Sequence, residues 1–193
     1  MGTSSNFGNM VSVAIASIFL PFLPMLPTQI LLNDLLYDVS QLFLASDSVD
    51  QSQLLRPKKW NIEGVKRFMM IFGPISSLFD ILTFVILLNF FKATPELFQT
   101  GWFLESLITQ TLIIFSIRTT LVPFFKSRIS PRFALGLYGV VFLAVLIPLS
   151  PLATYFDFVA PPTIFYSLLA ILVLTYLVVV ETAKRWFYVY WSV

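Results

Sequence analysis

The chain has 193 residues, of which 58% are hydrophobic and 11% charged, against roughly a quarter charged in an average soluble domain. One core of this size cannot enclose so much apolar surface, which excludes a water-soluble enzyme. There is no Cys and no His, so disulfides, thiol nucleophiles, zinc clusters and a histidine general base are excluded as well. The formal net charge of +2 gives no footing for nucleic acid. The composition is that of an all-α, polytopic transmembrane helix bundle in the lipid bilayer.

A membrane-spanning helix needs about 20 mostly apolar residues, and the pattern predicts six spans. The first runs over 9–26, with Pro21 and Pro24 near its far end. The second covers 28–45 and is apolar apart from Asn33, Asp34 and Asp38. Between them PFLPMLP is too short to recross a bilayer, so it reads as a tight hairpin that sets the two helices side by side. The remaining spans are expected at 68–91, 102–117, 133–149 and 164–180. No basic region precedes the first apolar run, so it does not read as a cleaved signal peptide.

Six spans put 46–67, 118–132 and 181–193 on the side of the N-terminus. Those segments hold Arg56, Lys58, Lys59, Lys66, Arg67, Arg118, Lys126, Arg128, Arg132, Lys184 and Arg185, and only Lys92 lies opposite. The positive-inside rule then makes both termini cytoplasmic. The cluster WFYVYW, Trp186 to Trp191, suits an interfacial anchor.

Ionisable groups inside a membrane cost roughly 2.5–3.5 kcal/mol each at a helix centre, so each one needs a reason. Asp34 and Asp38 are four apart and share a helical face, with no Lys or Arg in their span. Two readings follow: the pair holds a hard cation such as Mg²⁺, or each acid is protonated or paired with a distant base. Asn6 and Asn9, three apart at the start of the first helix, offer amide oxygens to the same place or serve as caps. Gly8 between them allows close helix approach. Asp80 lies mid-span, with Ser76, Ser77 and Thr83 within reach to satisfy it, and Gln110 and Thr109 are further neutral oxygen donors. Glu105 is expected near the outer interface in water, and Glu181 in a surface pair with Lys184 and Arg185.

The ordered series SSNFGNM, PFLPMLP, LLYDVSQ, RFMMIFGPISSLFDILTF, GWF, Gln110-Thr111 and IRT resembles the bacterial magnesium-transporting P-type ATPases over essentially the whole chain, 1–193. The resemblance implies the C-terminal six of ten membrane helices of such a pump, in the bacterial plasma (inner) membrane. It also implies an ion site with polar positions at Asn6 and Asn9 and an Asn-x-x-x-Asp pair, here Asp34 and Asp38, with Asp80 and Gln110 as secondary polar candidates. Asp34 departs from the Asn common in magnesium pumps. Asn9 stands where calcium pumps of the wider superfamily carry Glu, and Tyr37 where they carry Thr; both favour the magnesium branch. The implied cargo is Mg²⁺.

The superfamily's phosphorylated DKTGT string is absent from the sequence, as is any Gly-rich phosphate loop. ATP would therefore act only through domains outside this chain, and the partner implied is the N-terminal part of the pump, with four helices and the cytoplasmic domains. By itself the chain is not expected to be an ATPase. The alternative is a free-standing six-helix membrane protein acting as a channel, carrier or regulatory subunit; Met1 just before the first motif favours it, and the lack of a two-fold internal repeat disfavours a self-contained carrier.

Overall fold

The computed structural model describes residues 2–48 and 62–190, and every regular element among them is helical. Arg56, Lys58 and Lys59, used above for orientation, and Trp191 of the aromatic cluster lie outside the described residues. Six α-helices follow in order: α1 (Gly2–Phe19), α2 (Pro27–Leu42), α3 (Ile62–Val85), α4 (Pro95–Ile117), α5 (Pro131–Leu146) and α6 (Thr163–Tyr190). Counted with their 3₁₀ or π extensions, four segments are long and apolar enough to cross a membrane: Ile62–Phe90, Pro95–Ile117, Pro131–Leu149 and Thr163–Val189. The apolar part of α1 is shorter, Asn6–Phe19, and α2 has 16 residues interrupted by Asn33, Asp34 and Asp38.

Prolines set most boundaries. α1 stops at Phe19, short of the predicted 26, because Pro21 and Pro24 supply no N–H to continue it. Pro27, Pro95 and Pro131 each stand in the first turn of a helix, where a missing N–H costs nothing. α2 adds one half of a capping box, the Leu26 N–H donating to Gln29 Oε1 at 2.9 Å. α4 begins seven residues before the expected Trp102, since Thr94-Pro95-Glu96 is a good helix start although it is not apolar. α6 continues past Val180 to Tyr190, so Glu181, Lys184 and Arg185 are helical.

α4 is the centre of the bundle. Of its most apolar window 89% is buried, against 33–44% for the other three long helices, and it packs on α2, α3, α5 and α6. Gly101 lets the π turn after α3 close on it, because a Cβ there would stand 2.8 Å from Leu87 Cδ2. α1 packs chiefly on α3, and α2 on α4 and α5. The hairpin over 20–26 therefore splays its two helices instead of laying them together, and Gln99 Nε2 on α4 pins it through Leu23 O at 2.8 Å. At the α1–α3 crossing a Cβ on Gly8 would lie 3.1 Å from Ser76 Cβ and 3.2 Å from Gly73 O. The Gly8 carbonyl accepts from Ser77 Oγ at 3.0 Å. The outer faces of α5 and α6 expose Leu135, Phe142, Ile171, Leu174 and Val178, an apolar surface of the kind a membrane covers.

Candidate cation site

A cavity of about 470 Å³ lies between α1, α2 and α4. Asn6 and Asn9 reach it from one face of α1, Asn33 and Asp34 from α2, and Trp102 and Ser106 from α4, among apolar neighbours such as Met10, Val13, Met25 and Ile30. Among the described residues its lining contains no Lys or Arg. Of the four residues singled out from sequence, the cavity brings together Asn6, Asn9 and half-buried Asp34. Asp38 is not in its lining; one turn further along α2 it is exposed and accepts from Gln41 Nε2 at 3.2 Å.

An amide chain crosses behind the cavity from α1 to α2 by way of α4. Asn9 Nδ2 donates to Gln110 Oε1 at 3.2 Å, and Gln110 Nε2 donates to Asn33 Oδ1. Ser106 Oγ donates to Asn9 Oδ1 at 3.3 Å. Asn33 is 3% exposed, and its Nδ2 has no hydrogen-bond partner. Gln110 thus ties the first two helices together. The sequence reading named it as a neutral oxygen donor and a secondary polar candidate, not as a link between helices, and passed over Ser106. The usable signal was the four-residue spacing of Trp102, Ser106 and Gln110, which sets three polar groups on one face of α4.

Asp80 is fully buried behind the same wall. Its partners come from other helices: Ser12 Oγ of α1 donates to Oδ2, and Trp102 Nε1 of α4 to Oδ1 at 2.9 Å. The expected local partners are used elsewhere, Ser77 on Gly8 O and Thr83 on Phe79 O. Glu105 is not at a solvated interface. It is 1% exposed, because the central helix is covered on all sides, and its Oε2 is buried without a hydrogen-bond partner. Thr109 is bonded back to Glu105 O at 2.8 Å. Nor is Glu181 in a surface pair: Lys184 is 1% exposed and donates to Glu181 Oε1 at 2.9 Å and to Ser116 O at 2.8 Å.

Among the described residues no three acidic side chains converge as a metal cage. The cavity instead presents one carboxylate, several amides and a hydroxyl in apolar surroundings, where a charge interacts more strongly than in water. Residues 22–186 match the family described as cation transporting ATPase, C-terminus. The chain belongs to this family. It is also similar to magnesium-transporting ATPase, P-type 1, of Salmonella typhimurium strain LT2, with 46% identity over 97% of the chain and 21% of that protein. The Escherichia coli K12 protein of the same name is 45% identical over the same shares, and a second S. typhimurium LT2 protein of that name is 40% identical. The chain spans about a fifth of the length of these curated relatives. Membership of the family accounts for a bundle of apolar helices with a polar heart.

Proposed function

We propose that this chain is the C-terminal portion of the membrane domain of a magnesium-transporting P-type ATPase, comprising six spans with both termini cytoplasmic, and that the α1–α2–α4 cavity is its part of the Mg²⁺ path. One observation carries the reading: Asn6, Asn9, Asn33 and Asp34 meet at one cavity, and among the described residues its lining holds no basic side chain. A hard cation takes oxygen ligands, and Mg²⁺ keeps several of its waters, so one carboxylate with a few amide oxygens in a roomy cavity suits it. The wholly protein-made cage that Ca²⁺ favours would need more carboxylates.

In this reading α1 and α2 complete the six spans although they are shorter, because helices around a transported ion are broken and polar where they line its path. The excess of Lys and Arg on one side sets the orientation. Asp38, on the exposed side of α2, is the ligand turned toward the part of the pump outside this chain. Phosphorylation and ATP binding belong to that part, since no DKTGT string occurs here. The test is calorimetric titration of Mg²⁺ into the chain in lipid nanodiscs, wild type beside Asp34→Asn. Binding that disappears in the variant supports the reading, and equal binding by both overturns it.

A further inference from the structure

The cavity between α1, α2 and α4 has two kinds of wall. Among the described residues Asp34 is its one carboxylate, and no basic side chain joins it in the lining. Of the neutral polar residues there, Asn9, Asn33 and Ser106 are already hydrogen-bonded to one another or to Gln110. The rest is apolar: Met10, Val13, Ala14, Met25, Ile30 and Trp102.

Charge and volume both follow from this lining. A single carboxylate balances a single positive charge, and an uncompensated charge in apolar surroundings is costly. The second charge of Mg²⁺ is left to groups outside the lining, such as Asp38. A hydrated Mg²⁺ with about six waters fills roughly 180 Å³, at about 30 Å³ for each water. The cavity measures about 470 Å³, so much of it faces hydrocarbon, where water finds few partners.

A monovalent cation that carries its own hydrocarbon suits both walls. Its ammonium group has three N–H donors for the Asp34 carboxylate, and its alkyl chain displaces water from the side of Val13, Met25 and Ile30. We propose that the cavity is also a site for a short primary alkylammonium ion, of the size of butylammonium, which competes with Mg²⁺ for Asp34. The inference rests on the reading of the cavity as a cation site.

The test is calorimetric titration of the full chain in nanodiscs of zwitterionic lipid. Mg²⁺ is titrated with and without butylammonium, and methyl-, ethyl- and propylammonium are compared with it. Butylammonium is expected to displace Mg²⁺, and affinity to rise about fourfold with each further CH₂ buried. Asp34→Asn should abolish binding of both ions. Val13→Thr, which puts a hydroxyl in place of a methyl on the apolar wall, should weaken butylammonium by about threefold and leave Mg²⁺ binding unchanged. Amine binding that survives Asp34→Asn, or that does not rise with chain length, overturns the inference. Mg²⁺ binding that requires Asp34 and is untouched by butylammonium overturns it too, and spares the cavity reading. Amine binding that requires Asp34, in a chain that binds no Mg²⁺, sustains the organic-cation site and overturns the magnesium reading. Absence of both overturns both.

Discussion

Trp102 donates its indole N–H to Asp80 Oδ1 at 2.9 Å while the same side chain lines the cavity. It stands between a buried carboxylate and the candidate ion path, with its ring edge-on to Phe84 at 4.9 Å. Trp102→Phe keeps an aromatic ring there and removes the donor, so Asp80 Oδ1 is left buried without it. The expected cost is about 1–3 kcal/mol, read as a lower midpoint of thermal unfolding in detergent. Combining it with Asp80→Leu should recover part of the loss, because the group left unpaired is then gone. A double variant less stable than either single one would refute this account.

Gly8 sets the distance between α1 and α3. A methyl group there meets Ser76 Cβ at 3.1 Å and the Gly73 carbonyl at 3.2 Å, and a backbone carbonyl inside α3 does not move aside easily. Gly8→Val is expected to cost about 1–3 kcal/mol by overpacking. Ser77→Ala removes a donor to Gly8 O and should cost about 1 kcal/mol. Unfolding in a detergent series would show the order Gly8→Val worse than Ser77→Ala; the reverse order would mean that hydrogen bonding, not contact distance, sets the crossing.

Much of this was readable from residue order. The long apolar runs of α3, α5 and α6 announce themselves by composition, the prolines at 21, 24 and 27 mark the hairpin, and the spacing of Asn6 and Asn9 puts both on the cavity. What could not be read was which neighbour covers which face. Glu105 and Lys184 look like interface residues when hydropathy is averaged along the chain, yet α4 is enclosed by other helices and the far end of α6 buries Lys184 on its inner face. Asp80 had serines and a threonine nearby in sequence, and its partners came from α1 and α4. Polar contacts inside such a bundle join residues far apart in sequence, as Gln110 and Asn33 are, and no local pattern encodes them.

Lys184 makes a second test of burial. It donates to Glu181 Oε1 and to Ser116 O, and Ser116 Oγ donates to the same Glu181 oxygen. Lys184→Met strips the positive charge from a buried pair and leaves Glu181 uncompensated, a loss of about 3–5 kcal/mol. Lys184→Met with Glu181→Leu should be markedly less damaging than Lys184→Met alone. Chemical denaturation of the three variants checks the order, and equal damage by the single and double variants would count against a buried pair.

Asp34 and Asp38 share one side of α2 but differ in setting, and the difference separates what this chain does from what a whole pump does. Asp34 is half-buried on the cavity; Asp38 is exposed, one turn on, and accepts from Gln41. Asp38 stands outside the lining of the cavity, so its carboxylate contributes little to holding an ion beside Asp34. In the chain alone Asp38→Asn should therefore change Mg²⁺ affinity by less than about threefold, which is under 1 kcal/mol, while Asp34→Asn abolishes binding. In a pump assembled with the remaining four-fifths of a relative, other helices would cover that side of α2, and a buried Asp38 carboxylate would act at full strength. There Asp38→Asn should reduce Mg²⁺ transport into vesicles by tenfold or more, about 1.4 kcal/mol or more. Measuring both variants in both settings decides the matter: an Asp38 effect as large in the isolated chain as in the assembled pump would show that α2 presents its two carboxylates to one complete site without help from outside.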